Sequence, residues 1–320
     1  MSLFPSLFHG TAPSRTRAGW VLACAATLVL ALVLVSVTKA GIQGSGIRRV
    51  ATFGTITPGS ELIVNDVAYD TSGASVVING EPGSVGRLHS GHIVSIKGTV
   101  PEKGGKATAD EITLVSEVRG EITAVNVSAG TLTVLGQVVR APAGVSGLER
   151  GMLVKVSGFA DAAGVFNASS IDIEAAQAVA QVKGVVQSLD SDRAELRVGG
   201  LVVDYSSAAV KGTVAQGVTV IVQGMSAGTG SSLAASSVEV YQGVGEPGAK
   251  GDLEGIITAF ASEQDFDVNG QQVLADSDTK YVLHGTELGV DVQVKVKGRF
   301  DAAGVLVADK IQAEKPPKKK

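Results

Sequence analysis

One glycine-punctuated strand pattern, written four times in succession, constrains this chain more than any other feature. Each unit opens with a glycine in a short strand-forming run: Gly54-Thr-Ile-Thr, Gly120-Glu-Ile-Thr, Gly184-Val-Val-Gln and Gly255-Ile-Ile-Thr. A second run follows, at Leu132-Thr-Val-Leu-Gly136, Leu196-Arg-Val-Gly-Gly200 and Phe266-Asp-Val-Asn-Gly270, with Leu62-Ile-Val-Asn-Asp66 in the first unit. Asn269-Gly270 is a hairpin signal, because both central positions of that turn need positive φ. The third landmark has one glycine-to-glycine distance at Gly91–Gly98, Gly151–Gly158 and Gly217–Gly224; Gly289 to Gly298 is two residues longer. Counting back from the closing glycine, the second and fourth positions are apolar: Ile96 and Val94, Val156 and Val154, Val222 and Val220, Val296 and Val294. The first position back is polar: Lys97, Ser157, Gln223 and Lys297. That alternation describes a strand with one dry and one wet face. Each unit ends on Ala-x-x-Ile/Val: Ala109 with Ile112, Ala168 with Ile171, Ala235 with Val238, Ala308 with Ile311. The preceding connection is the same in two units, Asp161-Ala-Ala-Gly-Val165 and Asp301-Ala-Ala-Gly-Val305, a composition that suits a hairpin loop.

Each unit therefore holds about five strands. A flat sheet of that size exposes two hazardous edges, and closing it removes them. The expected fold is an all-β body of four tandem, five-stranded OB-like barrels; an open sheet stacked on its neighbour is the alternative. The expected boundaries are 49–116, 117–178, 179–243 and 252–314, with 244–251 as a Gly/Pro-rich linker.

The opening Gly-x-Ile-Thr, the Val-x-Gly turn, the Gly-x-x-Val-x-Val-x-Gly strand and the closing Ala-x-x-Ile together resemble the bacterial modules catalogued as domain of unknown function 5666. The resemblance covers most of Arg49 to Glu314, and the first unit departs from it by an insert around Thr71 to Gly86. It implies export, tandem repetition and no established activity. It supplies no functional residues.

Ahead of the repeats, after a short arm (1–19), Trp20 to Val37 is an uncharged apolar run. At 1.5 Å per residue its 18 residues span roughly 27 Å, close to a bilayer's hydrocarbon thickness. Residues 20–38 are expected to form a transmembrane helix or, with Thr38-Lys39-Ala40 as a cleavage site, a signal. Cys24, the single cysteine, precedes most of that run and so does not fit a lipobox. Basic residues flank both ends, and the signal-like layout favours the N-terminus inside and the body outside a bacterial inner membrane, or export if the segment is cleaved. The tail 315–320 is basic and reads as a solvated end.

Ile42 to Glu314 carries all 31 acids against 20 basic residues, and its aromatics are ten Phe and Tyr. Nucleic-acid binding draws on cations beside phosphates and on aromatic platforms, so this composition argues against it. The expected partners are a membrane, through the N-terminal helix, and an envelope protein or cell-wall polymer.

Chemistry is sparse. His89-Ser-Gly-His92 is the only histidine pair, set in a turn entering a strand, with His92 in the frame position of Met152 and Val218. A structural zinc site wants four ligands and no cysteine is at hand, so the pair reads as a local substitution. Acidic doublets at Asp190/Asp192, Asp265/Asp267 and Asp276/Asp278 suit calcium by charge, but none fits a calcium-loop pattern; Asp276 and Asp278 are the least implausible ligands. No phosphate loop with a Gly-Lys-Ser/Thr ending occurs in the body, and His284 is the only histidine beyond the first unit, so no catalytic residue and no cofactor is expected. The expected function is a noncatalytic, membrane-tethered envelope protein displaying barrel modules for binding or spacing. A glycan or divalent-cation binder is the alternative, and an enzyme the remote one.

Overall fold

The computed structural model describes residues 47–101, 105–175, 179–226 and 231–314. The apolar segment 20–38, the arm before it and the tail 315–320 lie outside the described residues, and among those described no helix is long and apolar enough to cross a membrane.

The protein is all-β. The first repeat holds β1 (Ile47–Thr57), β2 (Leu62–Val64), β3 (Val67–Asp70), β4 (Ser75–Ile78), β5 (Glu81–Pro82), β6 (Ile93–Pro101) and β7 (Ala107–Leu114). The second holds β8 (Val118–Asn126), β9 (Thr131–Val134), β10 (Gln137–Arg140), β11 (Leu153–Ala160) and β12 (Phe166–Glu174). The third holds β13 (Ala180–Asp190), β14 (Glu195–Val198), β15 (Leu201–Asp204), β16 (Ala209–Lys211), β17 (Thr219–Ser226) and β18 (Ser232–Val240). The fourth holds β19 (Lys250–Ser262), β20 (Asp265–Val268), β21 (Gln271–Val282), β22 (Gln293–Phe300) and β23 (Leu306–Ala313).

One cycle of pairings recurs. In the first repeat β1–β2, β2–β3, β6–β7 and β1–β6 are antiparallel, and β3–β7 is parallel. The equivalents are β8–β9–β10–β12–β11–β8, β13–β14–β15–β18–β17–β13 and β19–β20–β21–β23–β22–β19. In each cycle the third strand meets the last in parallel.

The alternation read from the sequence has a physical target. Val94, Ile96, Val154, Val156, Val220, Val222, Val294 and Val296 are all fully buried, each contributing about 1.5–3 kcal/mol by leaving water. Their polar neighbours Lys97 and Lys297 are exposed, but Ser157 is buried. The second repeat turns that face inward, where Ser169 Oγ donates to the Ser157 carbonyl at 3.2 Å.

Glycine marks two places where a side chain has no room. Gly98, Gly158, Gly224 and Gly298 each sit at a register shift between the fourth and fifth strands of a cycle. A Cβ there would come within 2.0–2.3 Å of a carbonyl oxygen on the facing strand. The opening glycines lie under the β2–β3-type hairpin turn, and a Cβ on Gly54 would fall 2.2 Å from Asn65 Oδ1. Gly158→Ala is therefore expected to lower the urea midpoint by an amount worth about 1–3 kcal/mol, whereas Gly86→Ala, with open space around it, should leave the midpoint nearly unchanged. Equal midpoints for the two variants would contradict the close approach.

The extra length of the fourth unit changes which residue takes the left-handed position. Gly91, Gly151 and Gly217 have φ of +91, +94 and +87, while in the fourth unit Asp291 (φ +70) takes that place and Gly289 does not. Seven residues before the closing glycine is the conserved spacing, so the longer loop is absorbed ahead of the turn.

The Thr71–Gly86 insert is less foreign than the sequence suggests. It places β4 in parallel beside β7, pairing Val76 with Ile112. In the third repeat β16 does the same, Val210 with Val238, and in the fourth the end of β21 pairs Tyr281 with Ile311.

The repeats are joined through their strands. β1 runs parallel to β19 over Val50–Phe53, and β8 meets β13 at Val118 and Arg119. The interiors of the second and third repeats form one apolar cluster, and Phe53, Ile93 and Phe159 pack into the cluster of the fourth. The segment read as a linker, 244–251, is packed: Val244 and Ala249 are buried, and Ala249 and Gly248 exchange backbone hydrogen bonds with Phe300. Its Gly/Pro content makes a tight turn whose two apolar residues fill the fourth repeat's core.

Candidate functional site

Two polar clusters stand out, and both lie where repeats meet. The first begins with a turn of the chain. Val85–Arg87 forms one 3-10 turn, and residues 89–92 then bend into β6, with Gly91 N donating to the Ile56 carbonyl at 2.9 Å. The bend sits against β12 of the second repeat. Ser169 Oγ donates to the Gly91 carbonyl, and a Cβ on Gly91 would lie 2.5 Å from the Ser169 carbonyl. Only glycine permits that approach, and it brings both imidazoles onto Asp172.

His89 Nε2 lies 2.9 Å from Asp172 Oδ1, and His92 Nε2 lies 2.7 Å from Asp172 Oδ2. The two rings are 3.7 Å apart between centroids, tilted by 36°. His89 Nδ1 is 2.9 Å from the Ser90 carbonyl, His92 Nδ1 is 3.3 Å from the His89 amide, and Ser170 Oγ donates to Asp172 Oδ1 at 3.1 Å. His92 is buried and His89 half exposed. Burial opposes ionisation of Asp172, but the hydrogen bond and charge of His92, the charge of His89 and the Ser170 hydroxyl outweigh it. They hold the carboxyl at about 2, below its ordinary 3.8.

A depressed carboxylate stabilises the fold above its unfolded-state value, and that contribution disappears as pH falls through the folded value. Asp172→Asn should thus be less stable than the parent at pH 6, with the gap closing between about pH 4 and pH 2. Urea titrations across that range measure it; a gap independent of pH would remove the ion pairing from the account.

The second cluster is deeper. Lys183, on β13, and Glu117, between β7 and β8, form a buried pair with Lys183 Nζ 3.2 Å from Glu117 Oε1. Lys183 N also donates to the Glu117 carbonyl at 2.7 Å. The ammonium lies 4.3 Å from the Tyr241 ring centroid and 5.5 Å from that of Phe53, within cation–π range. Burial pushes Glu117 up against the pull of Lys183. Lys183 itself is held up, because Glu117 and Tyr241 outweigh its burial. A cavity of about 190 Å³ adjoins the pair, lined among others by Phe159, Gln187 and Asn269.

Asp276 and Asp278 do not converge on a site. Asp276 Oδ1 accepts from Asp278 N at 2.9 Å and from Thr279 Oγ1 at 3.3 Å, so it caps its own turn. Asp190 does likewise for Arg193 N at 3.1 Å. Among the described residues the group with metal-ligating geometry is His89, His92 and Asp172, its ligand atoms within 4.8 Å of one another. The histidine pair read as a local substitution has thus acquired a partner 80 residues away. The one sequence hint was His92 in a core position of the repeat frame, where an imidazole needs a polar neighbour.

The family model described as Domain of unknown function (DUF5666) matches residues 119–172 and 254–312. No curated protein matches the chain. Among solved structures, Drosophila Unr CSD456 aligns at 12% identity over 63% of this chain and 98% of its own, with a TM-score of 0.16. The partners expected from the sequence were a membrane, an envelope protein or a cell-wall polymer, with nucleic acid excluded. That expectation is corrected: neither these comparisons nor the described residues support a membrane or envelope partner. Overlap this distant settles no partner in its place. The family matches fall in the second and fourth repeats, where the chain is similar to the DUF5666 family.

Proposed function

We propose that the protein is a noncatalytic scaffold of four OB-like barrels, locked together so that their outer surfaces stand at fixed spacing. The recurring pairing cycle, with its parallel contact between third and last strands, is what an OB-like barrel requires. The observation that carries the reading is where the buried polar groups are used. Lys183 and Glu117 join the third repeat to the segment leading into the second. Gln181 Nε2 donates to the Ser116 carbonyl at 2.7 Å, and Gln137 Nε2 to the Val198 carbonyl at 2.6 Å. Asn65 Nδ2 reaches Asp252 Oδ1 at 3.1 Å, joining the first repeat to the fourth. Each of these contacts reaches a partner in another repeat or at its junction. Buried polar networks of this kind set one arrangement rather than many. Fixed spacing lets weak sites on separate barrels act together, raising avidity without new contacts.

Spin labels test the rigidity. With Cys24 replaced by serine, labels at the exposed positions Val127 and Val290 should give one narrow distance distribution. A broad distribution, as from beads on a string, would sink the scaffold reading.

A further inference from the structure

We propose that His89, His92 and Asp172 form a binding site for a divalent transition-metal ion, which clamps the first repeat to the second. Two imidazole nitrogens and a carboxylate, each from a rigidly docked segment, converge within 4.8 Å. This ligand set suits zinc, cobalt, nickel or copper rather than calcium or magnesium, and leaves a position for water.

The hydrogen bonding around the rings favours a cation between them. His89 Nδ1 lies 2.9 Å from the Ser90 carbonyl, a contact that requires its proton on Nδ1. The neutral ring then turns an Nε2 lone pair on Asp172 Oδ1 at 2.9 Å, which is repulsive unless a second proton or a metal ion lies between them. A backbone carbonyl holding Nδ1–H is the usual support of an Nε2 ligand. On the carboxylate side, Ser170 Oγ orients Asp172 in the same way. His92 differs. Its Nδ1 faces the His89 amide at 3.3 Å, so the metal-free neutral ring carries its proton on Nε2 and donates to Asp172 Oδ2. Loading a metal on His92 Nε2 shifts that proton to Nδ1 and opens the 3.3 Å contact. The ring of His89 and the Asp172 carboxylate are partly exposed, giving the ion a way in.

The full chain, stripped by a chelator and titrated with zinc chloride near pH 7.5, tests the site. One zinc per chain is expected to bind, raise the melting temperature and shift the His89 amide resonance. His89→Gln, at a half-exposed position, and Asp172→Asn should each weaken zinc binding at least tenfold, while Cys24→Ser and His284→Ala should bind as the parent does. Calcium should cause no shift. The proposal is overturned if zinc causes no melting shift up to millimolar concentration, or if His89→Gln, folded by its amide spectrum, binds zinc as well as the parent. Neither result bears on the spin-label distance, so the scaffold reading stands or falls separately.

Discussion

Lys183→Met is expected to destabilise the protein by about 3–5 kcal/mol, the largest effect of any single charge removal here. Methionine fills a similar volume, so packing is nearly kept and the loss is electrostatic. Glu117 would then be buried without its cation, and its carboxyl, already pushed up by burial, would rise further. A carboxyl raised above its unfolded value favours folding when protonated, so the deficit should grow as pH rises from 5 to 8. The double replacement Lys183→Met with Glu117→Leu should recover most of the loss, since an apolar pair of similar volume is often neutral or better. Urea unfolding at three pH values measures all of this. A Lys183→Met deficit under 1 kcal/mol would mean that water reaches the pair, and the junction would lose its main polar fastener.

Phe166→Ala should cost about 3–5 kcal/mol through cavity formation, and its reach is the more telling result. Phe166 is 1% exposed and lies in a core cluster that runs without a break from the second repeat into the third. Hydrogen exchange should therefore speed up at Val154 and Val156 on β11 and also at Val220 and Val222 on β17. The interiors touch through Val118 and Val182, which pair across β8 and β13. Loss of protection confined to β11 and its own cycle would show that the two cores are separate and that the junction carries no packing strain.

Much of each repeat is legible locally. The apolar pairs before Gly98, Gly158, Gly224 and Gly298 name a buried face, because a strand's side chains alternate between its two faces. The duplicated Asp161–Val165 and Asp301–Val305 loops fold alike: in each the aspartate carboxylate accepts from the valine amide, at 2.8 and 2.9 Å. Gly164 and Gly304 take φ of +79 and +80. Short-range chemistry suffices for such turns.

The candidate sites are another matter. Asp172 looks like any outward residue of a strand, and nothing near it in the chain signals that a turn of the first repeat will dock there. Lys183 and Glu117 read as ordinary surface charges until β13 is laid beside β8. The segment 244–251 reads as a spacer because Gly and Pro dominate it, yet Val244 and Ala249 are drawn into the fourth repeat's core.

Periodicity and turn chemistry act over a few residues, so the all-β character, the fourfold pattern and the dry face of each strand were written in the sequence itself. Which repeat touches which is decided by surface complementarity over tens to hundreds of residues, as when β1 of the first repeat pairs with β19 of the fourth. Burial of Lys183 with Glu117, and convergence of two imidazoles on Asp172, follow from that docking alone, because desolvation acts on whatever the tertiary structure brings together.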